Sequence, residues 1–452
     1  MTLKEKWLRH LIAYEKRQLL EEGREPNAVE MVLEDLTDGS CIDEIEKIYD
    51  DLIGLPTRGD YPYVEPTELE LIKEASPGYS KPESLELKGD ALLEKMKGAW
   101  FGRSSGCALG KPLERVWYMQ GGNGLKGWEN VRVYLKAAEA WPLSTYVPDI
   151  GEVDGLDVGC PDSTRDKIRF METDDDIRYT LLGMKILEDK GRNFTTRDVA
   201  EAWFNILPMG QTFTAEREAY RGLMFSLEFG KFDEAELNEI RARRNPFREW
   251  IGAQIRADGW AYGAACQPAL ASEFAYRDAA LSHVKNGIYG EVLFAAAIAA
   301  GFISATPLEA LQKGLEYIPQ KSRLHEATVQ AIDLGQSIQD LDDLHRELWN
   351  RWGYYDGVHT INNAALVAAA IAWGADDFEK TIVCAVTGGW DTDCNGATAG
   401  SLWGATYGYS ALPEKWIRPL NDKLFAAIPG FHPIGISECA ERSRVLAEKL
   451  AG

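Results

Sequence analysis

An all-α fold is predicted by three features of this 452-residue sequence. First, the alanine-rich stretches 279–303 and 362–373 are apolar nearly all round, the pattern of helices buried inside a large bundle. Second, the alternation of apolar and polar residues that marks half-buried strands is nearly absent. Val131–Val133 is the one stretch that reads as a short strand. Third, glycine recurs at every fourth position in two segments, at Gly98, Gly102, Gly106 and Gly110 and again at Gly396, Gly400, Gly404 and Gly408. Residues four apart share one face of a helix, so each segment predicts a helix with a smooth stripe. Each glycine destabilises a helix by about 1 kcal/mol. Close approach of two backbones along the stripes accounts for keeping four in register.

Residues 1–53 read as helices, with Trp7, Leu8, Leu11 and Ile12 and then Val29, Val32 and Leu33 at helical spacing. Residues 54–89 are punctuated by Pro56, Pro62, Pro66, Pro77 and Pro82 and read as a linker or wrapping segment. The predicted division is a helical N-terminal extension and linker over 1–85 and a main body over 86–452. The basic run RARRNPFREW (241–250) reads as a solvated or subunit-contact face. His283 and His359 read as structural histidines.

The formal net charge of −22 disfavours binding to a phosphate backbone, so no nucleic-acid partner is expected. The seven cysteines are odd in number and form no CxxC pair, which fits a reducing compartment better than a disulfide framework. The first 18 residues mix charged and apolar types without a signal-peptide core, and no run of about 18 apolar residues predicts a membrane span. The expected location is the cytoplasm.

Two acidic segments carry the chemistry. Thr173, Asp174, Asp175 and Asp176 precede an apolar helical pattern. Carboxylates at a helix N-terminus cap free N–H groups. Three adjacent ones repel unless a cation joins them, so capping and metal binding both stand. In the second segment, Asp391, Asp393, Asn395 and Gly396 open like an EF-hand loop, but Leu402 stands where the bidentate glutamate belongs. The better reading is a partial set of oxygen ligands completed from elsewhere, with Asp174 and Asp175 the obvious suppliers. Gly122, Gly124 and Gly127 fit GxGxxG without the strand–turn–helix context of a dinucleotide site.

Three stretches together resemble the ADP-ribosylglycohydrolase family, which includes the dinitrogenase-reductase-activating glycohydrolases and the J1-type crystallins. GAWFGRSSGCALGKPLE (98–114) resembles the family's first glycine-rich helix, TDDD (173–176) its T-D-D-T element, and GGWDTDCNGATAG (388–400) its G-G-D-T-D-[ST]-N element. The resemblance covers residues 90–450. It implies a large orthogonal multi-helix bundle with a metal site between helices, holding one or two Mg2+ ions, with Mn2+ or Ca2+ as alternatives. By the same resemblance, Thr173, Asp174 and Asp175 form one ligand group and Asp391 and Asp393 the other, with Asp176 as an added carboxylate. Glu114, Asp175 and Asp391 are then the catalytic candidates. The implied reaction is hydrolysis of the ribosyl C1 bond of an ADP-ribosylated protein or small molecule. A small N-riboside or other free glycoside, a non-catalytic crystallin-like role and a two-metal phosphohydrolase remain alternatives.

Three positions depart from the family pattern. Cys394 stands where Ser or Thr is usual, Asp176 where Thr is usual, and Trp390 is inserted before Asp391. Asp176 is expected to compensate for the thiol, a poor Mg2+ ligand. Trp390 is expected to offer an aromatic wall to the substrate, beside Gly389 and Asn395.

Overall fold

The computed structural model describes residues 1–80 and 87–451. Among them the regular elements are helices, and β-pairing is confined to isolated bridges. The all-α expectation therefore holds. The expected boundary at residue 85 and Pro82 lie outside the described residues.

The alanine-rich stretches form the interior. In the helix Lys285–Gly301 every residue after Lys285 is buried, and in Thr360–Gly374 nearly every residue is. Small side chains let neighbouring helices surround them on all sides. The expected strand at Val131–Val133 is instead part of the helix Gly127–Ala137. Trp128, Val131, Tyr134 and Leu135 are buried together on one face, and this i, i+3, i+4 spacing overrides the β preference of two valines.

The two glycine stripes meet each other. The helices Gly89–Gly110 and Thr392–Tyr407 lie antiparallel and back to back. A Cβ on Gly98 would overlap the backbone oxygen of Gly404. One on Gly102 would overlap that of Gly400, one on Gly106 that of Gly396, and one on Gly110 that of Thr392. No side chain fits between these backbones. The pairing brings the C-terminus of the first helix to the N-terminus of the second, where Thr392 Oγ1 donates to the Gly110 oxygen at 2.9 Å.

The N-terminal residues form the helices Leu3–Glu21, Pro26–Leu33 and Ile42–Ile53 around a small apolar core of their own, which Phe247 and Trp250 of the main body join. Residues 54–80 wrap the body. The Val64 N–H donates to the Lys321 oxygen, and Glu65 accepts from the Arg323 guanidinium at 2.7 Å. The basic run 241–250 differs from expectation. Arg241 and Arg248 are buried, and Arg248 bridges to the extension through Glu15 (2.7 Å) and Glu22 (2.8 Å). The acidic partners lie more than two hundred residues earlier, so the run reads as a free surface only when viewed alone. His283 and His359 are buried. The His359 ring accepts from the Ile361 N–H as a helix cap.

Gly106→Ala should lower stability by about 3 kcal/mol or more, because overlap with backbone outweighs the helix-propensity gain of about 1 kcal/mol. Gly59→Ala, where nothing lies near the added methyl, should stay within about 0.5 kcal/mol. Urea denaturation of both variants checks this, and equal effects would contradict the stripe packing. Arg248→Met leaves Glu15 without its buried cation and Glu22 with Lys285 alone, and should cost roughly 3–5 kcal/mol. A loss under about 1 kcal/mol, the size of a surface pair, would contradict its burial.

Candidate metal and catalytic centre

Backbone contact along the glycine stripes places Glu114, four residues beyond Gly110, beside Asp391 and Asp393 at the start of the opposing helix. Oxygens of these three carboxylates lie within 4.8 Å of one another. A third helix, Asp175–Lys190, brings its N-terminus to the same point. Asp174, Asp175, Asp176 and Asp393 form a second group within the same distance, and Asp393 belongs to both.

Two buried cations draw the third helix in. Lys111 Nζ bonds Asp174 Oδ2 at 2.6 Å, and Arg103 Nη2 bonds Asp176 Oδ1 at 3.0 Å. Arg103 also reaches Thr180 Oγ1 at 2.8 Å and Asp258 Oδ2 at 2.7 Å. Asp174 Oδ1 accepts the Asp176 N–H at 3.0 Å as the helix cap. Capping and cluster formation thus coexist in one side chain. Both cations follow a glycine of the stripe by one residue, a signal present in the sequence but given no role there.

Electrostatics sets the carboxylates apart. Burial pushes the Asp174 carboxyl up, but the Lys111 ammonium, the Asp176 N–H and Arg178 together hold it below the usual range. Burial, followed by the charge of Asp174, pushes Asp393 up to about 7 and Asp175 up to about 6. Asp176, Asp391 and Glu114 are raised well above the carboxylate range by dehydration and then by their neighbours' charges, Arg103 opposing this at Asp176. Crowding of this kind is relieved by protons or by a cation. Asp393 Oδ1 is buried without a hydrogen-bond partner among the described residues. An orphaned oxygen amid oxygen donors fits a hard divalent ion. The thiols of Cys107 and Cys394 form two further groups with Asp393, one with Asp174 and one with Asp176; burial raises both thiols well above their ordinary range, and a soft thiol suits a hard cation less well than a carboxylate. Cys394 Sγ donates to Asp176 Oδ2 at 2.9 Å. Asp176 is thereby committed to Arg103 on one oxygen and to the thiol on the other.

The remaining expected residues serve the frame. Thr173 Oγ1 accepts from Arg178 at 3.4 Å. Asn363, absent from the expected set, accepts on one oxygen the Asp391 N–H (3.1 Å) and the Asn395 amide (2.8 Å). Gly389 and Trp390 both adopt positive φ, at 77° and 59°, and turn the chain into the helix at Asp391. A side chain on Gly389 would press on the Tyr118 oxygen and the Trp128 nitrogen. Trp390 corrects an expectation. Its ring is 1% exposed and stacks on Trp349 at 4.9 Å, so it packs under the loop and is no wall for a ligand. The EF-hand resemblance ends because Asp393 and Asn395 already lie in the helix Thr392–Tyr407.

A family model described as ADP-ribosylglycohydrolase matches residues 88–451. A solved structure described as an ADP-ribosylglycohydrolase-related protein complex is similar at 21% identity and a TM-score of 0.49, covering 80% of this chain and 100% of the other. Among curated proteins no sequence matches. The family model spans all three motifs and every carboxylate of the cluster, and the chain belongs to the ADP-ribosylglycohydrolase family.

Proposed function

We propose that the protein hydrolyses the ribosyl C1 glycosidic bond of an ADP-ribosylated substrate, with a divalent cation, Mg2+ first among candidates, in the carboxylate cluster. The observation that carries this is the convergence of Glu114, Asp174–Asp176, Asp391 and Asp393 from three helix ends, with Asp393 common to every group. Asp174, Asp175, Asp391 and Asp393 would hold the ion, with Thr173 beside them. Asp176 is set behind them by its bonds to Arg103 and Cys394. When bound, the cation supplies charge that draws in sugar hydroxyls and a water molecule.

Glu114 is the exposed member of its group. It alone in that group has open access to both solvent and substrate. A carboxyl whose pKa is raised keeps its proton further up the pH scale and can give it to the leaving group or take one from attacking water. Asp175, half-buried, and Asp391 add negative charge facing a sugar on which positive charge develops. Asn363 positions the Asp391 backbone and holds Asn395 beneath it.

Glu114→Gln should fold normally and lose roughly 10^2–10^4-fold in kcat, the range for a lost acid–base group. Mass spectrometry of products from ADP-ribosyl protein, ADP-ribose conjugates, nucleosides and phosphoesters reads this directly. Undiminished turnover would remove Glu114 from the chemistry, and phosphate release would replace the glycosidic reaction with a phosphohydrolase one.

Asp175 and Asp393 also set a pH dependence. Their folded values exceed the unfolded range of about 4, so in the metal-free protein their contribution to stability is full below about 4. It is lost as pH rises through about 6 to 7. A cation must displace those protons, so Mn2+ should bind more tightly at about pH 7.5 than at about pH 5.5 and release protons as it does. Titration calorimetry in buffers of different ionisation enthalpy measures both effects. Asp393→Ala should abolish binding, whereas full affinity in that variant would move the ion elsewhere.

A further inference from the structure

A second cavity, of about 520 Å3, lies between the N-terminal segment and the main body. Its size suits a small organic ligand. Leu20, Tyr61 and Tyr63 come from residues outside the family match, and Arg323, Trp352 and Tyr354 come from within it. The cavity therefore exists only where the extension meets the body.

It is separate from the carboxylate cluster. Ile361 lines the cavity, while Asn363 holds the Asp391 backbone. Both belong to the helix Thr360–Gly374. Residues two apart on a helix point to different faces, so this helix stands between the two sites.

The lining has a definite chemistry. Tyr61, Tyr63, Tyr354 and Trp352 supply aromatic surface, and Tyr61 and Tyr63 meet edge to face at 5.3 Å. Arg323 is 5% exposed. Its Nε and Nη2 are committed to Glu65 and Glu249, whereas its Nη1 has no hydrogen-bond partner among the described residues. A buried guanidinium N–H left unpaired loses a hydrogen bond that an acceptor in the cavity would restore. Arg351, on the same lining, bonds only the Gln330 amide oxygen and has no carboxylate partner among the described residues. The charge of Arg323 is met by Glu65 and Glu249, so what it offers the cavity is the free Nη1–H, and Arg351 supplies the cation without a carboxylate partner.

We propose that this cavity binds a planar aromatic ring carrying a phosphate or carboxylate, the ring against the tyrosines and the anion on Arg323 and Arg351. Stacking on aromatic faces and charge-assisted bonds from arginine suit that combination. Glu21 and Glu326 on the same wall favour a ring that also offers an N–H or O–H donor.

Titration calorimetry on the full chain tests this with AMP and 4-hydroxybenzoate, which separate a nucleotide from an aryl carboxylate, and with adenosine and inorganic phosphate as half-ligands. One of the first two should saturate with Kd at or below about 1 mM, and the half-ligands should bind more weakly. Tyr63→Ala and Arg351→Ala, both at partly open positions, should each weaken that binding by about tenfold, a single contact's worth. The proposal is overturned if neither ligand saturates, or if binding is untouched in both variants. Binding that is lost in Asp393→Ala but kept in Tyr63→Ala would assign the ligand to the carboxylate cluster and likewise overturn it.

Discussion

Backbone packed directly on backbone, glycine stripe against glycine stripe, is the contact from which the rest of this molecule follows. Four glycines on the first helix and three on the second, Gly396, Gly400 and Gly404, remove the side chains that normally keep helix axes 8–10 Å apart. The two helices then have one tolerated register, since any slip drives a side chain into a carbonyl oxygen. That register aligns Gly110 with Thr392 across 282 residues of chain. Everything attached to those two helix ends is placed with it, including Lys111, Glu114, Asp391 and Asp393.

Concentrating so many carboxylates is unfavourable, and the fold manages it in layers. Arg103 pairs with Asp176 and Lys111 with Asp174, and the Cys394 thiol donates to Asp176 from the opposing helix. Breaking such buried pairs leaves an uncompensated charge and destabilises strongly, so the cations tie the third helix to the first two. Asp393 keeps a free oxygen, and both it and Asp175 have raised pKa values. This division separates an ion-paired layer, built on Arg103, Asp176 and Asp258, from carboxylates that reach solvent at Glu114.

The N-terminal segment is integrated by the same kind of chemistry. Glu15 and Glu22 meet Arg248, and Glu65 and Glu249 share Arg323. Arg17 and Gln120 both bond Asp356, and Asn362 takes the Asp356 carbonyl. The segment is thereby anchored to the same turn that leads, through Asn363, to Asp391. A stretch that the family model does not include thus forms one wall of the second cavity and buttresses the first site from behind.

Much of this was legible in the chain alone. Alanine-rich periodicity dictates buried helices, fourfold glycine spacing dictates stripes, and acidic residues ahead of helical patterns mark helix starts where charge collects. These are local properties, set by the 3.6-residue turn and by propensity. Other features were legible only in part. The valines at 131 and 133 suggested a strand until their neighbours' burial on one face was seen, the basic run at 241–250 suggested a surface, and Trp390 suggested a wall. For the valines the deciding pattern is local, with Tyr134 and Leu135 on the same helix, whereas Glu15 and Glu22 for the basic run and Trp349 for Trp390 act through space. The sequence by itself determined which helices form and which residues carry charge. The tertiary structure decided which charges are neutralised, which remain free, and which aromatic rings are covered, because burial and pairing depend on contacts between segments hundreds of residues apart.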